Sequence, residues 1–201
     1  ELARKVGVKR IGDMARRLGL GQAYNLPLTG LSKGFVPTKK WKKERFGTSW
    51  LVGDTLNVGI GQGFSLATPL QLAVMTARLA SGKEVTPNII KNPDKNTDNP
   101  KALSIKESTF VAIRKGMFNV LNEKEGTAFN FRTTDKNFLI AGKTGTSQVR
   151  RITREEREEG VIKNEDLPWK MRDHALFTCF APYKNPRYAL SVVVEHGGSG
   201  S

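Results

Sequence analysis

The chain has one cysteine, Cys179, and two histidines, His174 and His196, in 201 residues. A single thiol excludes an internal disulfide and any zinc site built on paired cysteines. Two histidines without triad-like spacing argue against a histidine base, so each is read as a structural hydrogen-bonder. Cys179 lies in the apolar run Leu176-Phe177-Thr178-Cys179-Phe180. A reactive thiol wants a polar, cationic neighbourhood, so this one is expected to be buried and structural. No apolar run approaches the ~18–20 residues that a membrane-crossing helix needs. No basic-then-apolar leader and no initiating Met open the chain. Glu1-Leu2-Ala3-Arg4 reads as the middle of a helix, so a truncated start is expected.

Negative charge is also scarce: 19 Asp and Glu stand against 33 Lys and Arg, a net charge of +14. Such a balance suits an anionic partner, whether nucleic acid, acidic polymer or membrane surface. The cations are scattered, with one cluster at Lys33, Lys39, Lys40, Lys42, Lys43 and Arg45, among which Trp41 stands, with Trp50 nearby. Aromatics among lysines can mark a single-strand groove. No helix-turn-helix, zinc finger or RNP motif accompanies them, so nucleic acid is not taken as a partner. With 38% hydrophobic residues, the chain can bury a core of one domain or most of a larger one.

Residues 1–20 show helical spacing of Leu2, Val6, Ile11, Met14, Ala15 and Leu18, stopped by Gly19 and Gly21. Residues 21–66 are rich in Gly, Pro, Thr and Ser and read as one long irregular segment. Thr68-Pro69-Leu70-Gln71 is a helix start with a capping box and proline at the first helical position; Gly82 closes that helix. Residues 91–100 read as a polar exposed loop. Residues 105–122 read as an amphipathic helix with Phe110, Val111, Ile113, Met117, Phe118, Val120 and Leu121 as its core stripe. Strands are expected over 138–149, 174–182 and 187–195, the last two joined by a hairpin-type turn. The charged stretch 150–173 reads as an exposed loop or short helix with i,i+4 ion pairs. Helices followed by antiparallel strands give an α+β class.

The chemistry concentrates in Lys143-Thr144-Gly145-Thr146-Ser147-Gln148, at the end of the apolar run from Phe138 to Gly142. On a strand, Thr144, Thr146 and Gln148 share a face. Gly145 removes a side chain where a ligand backbone must come close. Lys143 brings a positive charge beside two hydroxyls. Together these suit an acyl substrate that carries a carboxylate, with the Thr146 N–H as a donor to a developing oxyanion.

Lys-Thr-Gly is one of three elements of the penicillin-recognising serine enzymes, with S-x-x-K and S-x-N-type motifs as the others. The run from Leu139 to Val149 resembles the third motif of the penicillin-binding proteins. Val58-Gly59-Ile60-Gly61-Gln62-Gly63 with Ala67 to Ala73 resembles their shared helix-start segment. The run from Trp50 to Asn57, His174-Ala175 leading to Phe180-Ala181-Pro182-Tyr183, and the run from Val194 to Gly200 resemble the class B, elongation-type members. The resemblance covers nearly the whole chain. It implies a penicillin-binding, serine β-lactamase-like transpeptidase fold, an antiparallel sheet flanked by helices. It also implies a peptidoglycan D,D-transpeptidase in which a serine is acylated by a D-Ala-D-Ala stem peptide and the acyl group then passes to a neighbouring strand's amine. By resemblance, Lys143 stabilises the site charge, Thr144 and Thr146 bind the substrate carboxylate, the Thr146 N–H forms half of the oxyanion hole, and Gln148 lies at the rim. The implied partners are peptidoglycan stem peptides, β-lactam antibiotics and a membrane glycosyltransferase or other elongation-complex protein. The implied location is the periplasmic side of the inner membrane, held by an upstream anchor. No cofactor and no metal is implied.

One departure is decisive. No serine has a lysine three positions on, and no Ser-x-Asn occurs. Thr55-Leu56-Asn57 mimics the latter but stands on the wrong side of the first helix for the family order. Residues 1–201 are therefore expected to be a partial transpeptidase domain that starts after the S-x-N motif. It would lack the nucleophile and the last helix, and be inactive alone. The competing readings are a non-catalytic β-lactam-sensing or scaffold domain, a class D-type β-lactamase and a basic polymer-binding module.

Overall fold

The computed structural model describes residues 1–90, 100–150 and 152–200. The polar loop expected at 91–100 lies, apart from Pro100, outside the described residues, as does Arg151. The chain divides into two compact units, Glu1–Glu107 and Ser108–Ser201.

In the first unit the opening helix is broken. α1 (Leu2–Val6) and α2 (Val8–Arg17) meet at Gly7, whose φ of 81° lies in a region closed to most side chains. The spacing of apolar residues carried across the break and hid it. Residues 21–66, expected to be irregular, contain α3 (Lys39–Phe46) and α4 (Val52–Gly59). α3 is a basic helix with almost no apolar stripe, so periodicity could not reveal it. Its signals are local: Thr38 accepts from the Trp41 N–H, and Gly47 closes the helix in the left-handed conformation.

α5 (Pro69–Ser81) follows the sequence reading, with its capping box formed and Gly82 left-handed. Gln71 does more than cap. It is fully buried, and its amide donates to the carbonyls of Gln22 and Lys33, each at 2.8 Å, tying the preceding loop to the helix. Arg78, also buried, donates to the carbonyls of Arg17 and Val85. Trp41 packs against the rings of Phe35, Phe46 and Phe64, and the Trp50 indole donates to Thr55. The aromatics among the lysines thus serve packing rather than a stacking platform.

In the second unit α6 (Glu107–Asn122) buries Phe110, Met117 and Leu121. Val111 and Ile113, expected in its core stripe, are exposed, because they flank the 110–117–121 row at 3.6 residues per turn. Three antiparallel strands follow: β1 (Ala141–Ser147), β2 (His174–Ala181) and β3 (Tyr188–Val194), in the order β1-β2-β3. Asn122 donates to the carbonyl of Ile140, and Phe118 stacks on Tyr183, which fixes the end of α6 beside the start of β1. The stretch between β1 and β2 carries α7 (Arg154–Glu159), with a Thr153/Glu156 capping box and the expected i,i+4 pair between Arg154 and Glu158.

No helix of the described residues is long and apolar enough to cross a membrane.

Candidate active site on the first strand

The Lys-Thr-Gly run lies on β1. Pairing of Thr144 with Phe177 and Thr146 with Ala175 puts the two threonines on one face. Lys143 and Gly145 lie on the other, opposite Thr178 and Leu176. Gln148 stands one residue past the strand, exposed.

The two hydroxyls have different environments. Thr146 is exposed, and its Oγ1 accepts from the Gly200 N–H at 3.4 Å. Thr144 is only 9% exposed, and its hydroxyl lies 2.9 Å from that of Thr127. A hydroxyl has one proton to give and two lone pairs. With Thr127 as donor, Thr144 keeps its own proton for a ligand. Thr127 was not singled out from the sequence; the only signal there is a hydroxyl in a short segment between a helix and the motif strand. Lys143 is exposed, and its Nζ donates to the Thr144 carbonyl at 2.7 Å, which draws the ammonium along the strand.

Two glycines of β1 differ in what they permit. A Cβ at Gly142 would lie 2.7 Å from the Thr178 carbonyl oxygen and 2.7 Å from the Phe177 ring, so close strand packing requires that glycine. A Cβ at Gly145 would meet only Leu176 Cβ at 3.5 Å, an ordinary contact. What approaches Gly145 is main chain, since a side chain on Gly200 would collide with the Gly145 carbonyl and amide. β1 pairs with β2 along one edge, and among the described residues no strand lies along the other. An open edge presents backbone donors and acceptors in register for an extended chain.

The histidines sit at the end of the sheet nearest Thr146 and act as ties. His174 Nδ1 accepts from the His196 N–H at 2.9 Å, and His196 Nδ1 lies 3.0 Å from the Arg172 carbonyl. The two rings are 4.7 Å apart, and Trp169 stands edge-on to His196. Cys179 is buried opposite Gly142, and burial pushes its thiol pKa up, away from nucleophilic use. Thr55, the hydroxyl of the Ser-x-Asn mimic, is buried and accepts from the Trp50 indole, so it is a packing residue. Among the described residues, no group of three or more His, Cys, Asp or Glu is placed to hold a metal.

The family model for the penicillin binding protein transpeptidase domain matches residues 1–201. The peptidoglycan D,D-transpeptidase MrdA of Haemophilus influenzae is 34% identical over 100% of this chain and 32% of its own length. The penicillin-binding protein PBP2 of Helicobacter pylori, solved in complex with MreC, superposes with a TM-score of 0.82 at 35% identity, over 98% of this chain and 34% of that one. Pseudomonas aeruginosa PBP2, solved with WCK 5153, gives a TM-score of 0.79 at 35% identity, over 99% of this chain and 42% of that one. The chain spans about a third of the length of the curated relatives it matches.

Proposed function

The chain belongs to the penicillin-binding protein transpeptidase family, and from that premise we propose that it forms the carboxylate-binding side of a peptidoglycan D,D-transpeptidase site. The nucleophilic serine and its lysine base are supplied by sequence beyond these 201 residues. A stem peptide ending in D-Ala-D-Ala lies as an added strand along the open edge of β1. The observation that carries this is a Lys-Thr-Gly-Thr run on an edge strand, with Lys143 and Thr146 exposed.

The chemistry then follows from the groups in place. Thr146 Oγ1 and the Thr144 hydroxyl, backed by Thr127, hydrogen-bond the terminal carboxylate, and the Lys143 ammonium offsets its charge. The serine oxygen attacks the penultimate D-Ala carbonyl carbon. The Thr146 N–H shares the oxyanion that forms. The C–N bond breaks, D-alanine leaves with the serine's proton, and an acyl-enzyme remains. The amine of a neighbouring stem peptide attacks that ester, forming the cross-link and returning the serine. Gly145 puts no side chain on the motif strand, and Gln148 lies at the rim.

β-Lactams enter the same site and stop at the acyl stage. A protein partner of the elongation machinery is supported by the relative solved with MreC. A glycosyltransferase partner, a periplasmic location and an upstream membrane anchor complete the reading.

The test is intact mass after incubation with a β-lactam, on the full-length protein and on the 201-residue chain separately. The expected result is a stable adduct on the long form only, slowed at least tenfold by Lys143→Ala. That factor corresponds to loss of one charge-assisted hydrogen bond. An adduct on neither form would refute the proposal.

A further inference from the structure

The connection between β1 and β2 has a hydrogen-bonded hub at Asp173. Asp173 Oδ1 accepts from the Val149 N–H at 3.2 Å, just past the end of β1. Its Oδ2 accepts from Asn164 Nδ2 at 3.3 Å, and its own N–H donates to Asn164 Oδ1 at 2.8 Å. Its carbonyl accepts from the Gly198 N–H at 2.9 Å. Four polar groups of one residue thus join the end of β1, the turn at Asn164–Asp166, the start of β2 and the segment after β3. Apolar packing does little of this work. Leu167 is the only buried residue among the described residues of 152–172, and a cavity of about 240 Å³ opens between the connection and Asp173. Val149 is three residues from Thr146 and next to Gln148, so the tie at Val149 sets where the end of the Lys-Thr-Gly strand stands.

We propose that Asp173, clasped to Asn164, is a positioning residue for acylation. It holds the Thr146–Val149 end of β1 and the β1–β2 connection in the geometry the stem peptide meets. This rests on the transpeptidase reading above. The donor pattern makes the clasp testable by exchange. Asp173→Asn sets an amide NH2 against the Asn164 NH2, and Asn164→Asp sets one carboxylate against another. Making both changes restores a complementary pair, because the new carboxylate at 164 accepts both from the 173 backbone N–H and from its new amide. The oxygen at 173 still accepts from Val149.

The experiment measures the second-order rate of acylation by a β-lactam, with Tm, for the full-length wild type, both single variants and the exchanged pair. Each single variant is expected to acylate about tenfold more slowly, since small misplacements at a reacting site are costly. Tm is expected to change by no more than about 4 °C, the effect of one hydrogen bond. The exchanged pair should return to within about twofold of wild type, the scale of one undisturbed contact. Single variants that acylate at the wild-type rate, an exchanged pair as slow as the slower single, or a loss of rate that only tracks a large fall in Tm would each overturn the proposal. If Asp173→Asn does not fold, Asn164→Asp against the exchanged pair decides it in the same way. A wild type that takes no adduct overturns the transpeptidase reading instead, and the clasp's role with it.

Discussion

Truncating Asp54 to alanine strands a buried ammonium. The side chains of Lys42 and Asp54 are 8% and 15% exposed and form an ion pair between α3 and α4. Asp54 also accepts from the Leu51 N–H at 2.7 Å, capping α4. Breaking a buried pair from one side costs about 3–5 kcal/mol, and losing a helix cap adds about 1 kcal/mol. At about 2–4 °C per kcal/mol for a chain of this size, Asp54→Ala should lower Tm by roughly 8–24 °C. Lys42→Met combined with Asp54→Ala removes both charges and should recover more than half of that loss, because desolvation of the ammonium no longer counts. The sign of the pH dependence follows from the same contacts. Burial alone raises the Asp54 pKa, but the hydrogen bonds from Lys42 and from the Leu51 N–H, with the ammonium's attraction, outweigh it and hold the carboxyl below its ordinary value. A depressed carboxyl stabilises the fold above its unfolded pKa of about 3.9, and that stability is lost as pH falls through the folded value. The gap in Tm between wild type and the double variant should therefore be widest near neutrality and close in acid. The assay is thermal unfolding by circular dichroism across pH. A shift under about 2 °C for Asp54→Ala, below what one kcal/mol gives, would refute the reasoning, as would a double variant no more stable than the single.

Thr146→Val keeps shape and removes the exposed hydroxyl. Acylation by a β-lactam should slow by about 10- to 100-fold, the worth of a hydrogen bond to a charged group, with Tm unchanged; an unaltered rate would remove Thr146 from carboxylate binding. Thr127→Val should slow acylation about fivefold through Thr144 and cost about 1 kcal/mol of stability in urea unfolding, whereas a direct ligand would show the larger kinetic loss without the stability change. Gly142→Ala should destabilise by about 1–3 kcal/mol, because its Cβ meets the Thr178 carbonyl. Gly145→Ala should leave Tm nearly intact while slowing acylation, and the opposite pattern in the two glycines would contradict the division of roles between them.

The sequence alone determined whatever depends on near neighbours. The capping box at Thr68–Gln71, the cap at Gly82, the ion pair within α7 and the alternation in β3 are set by residues three or four apart, or by side-chain period, and all stand in the structure. The family was also legible, because five short motifs in order carry their own signature. Where the pattern was weak or misleading, the sequence reading failed. α3 has no apolar stripe to show itself, and the break at Gly7 falls inside an unbroken one. Only tertiary structure decided which hydroxyl of the motif is exposed and which is buried against a second hydroxyl. Thr144 and Thr146 are alike on paper, and a partner seventeen residues away, Thr127, separates them. The same holds for Lys42, which looks like one more cation of a basic cluster until Asp54 is brought against it. It holds again for Asp173, whose four hydrogen bonds reach segments distant in sequence. Long-range pairings of this kind depend on burial and on the register of strands, and neither is written in any local stretch of residues.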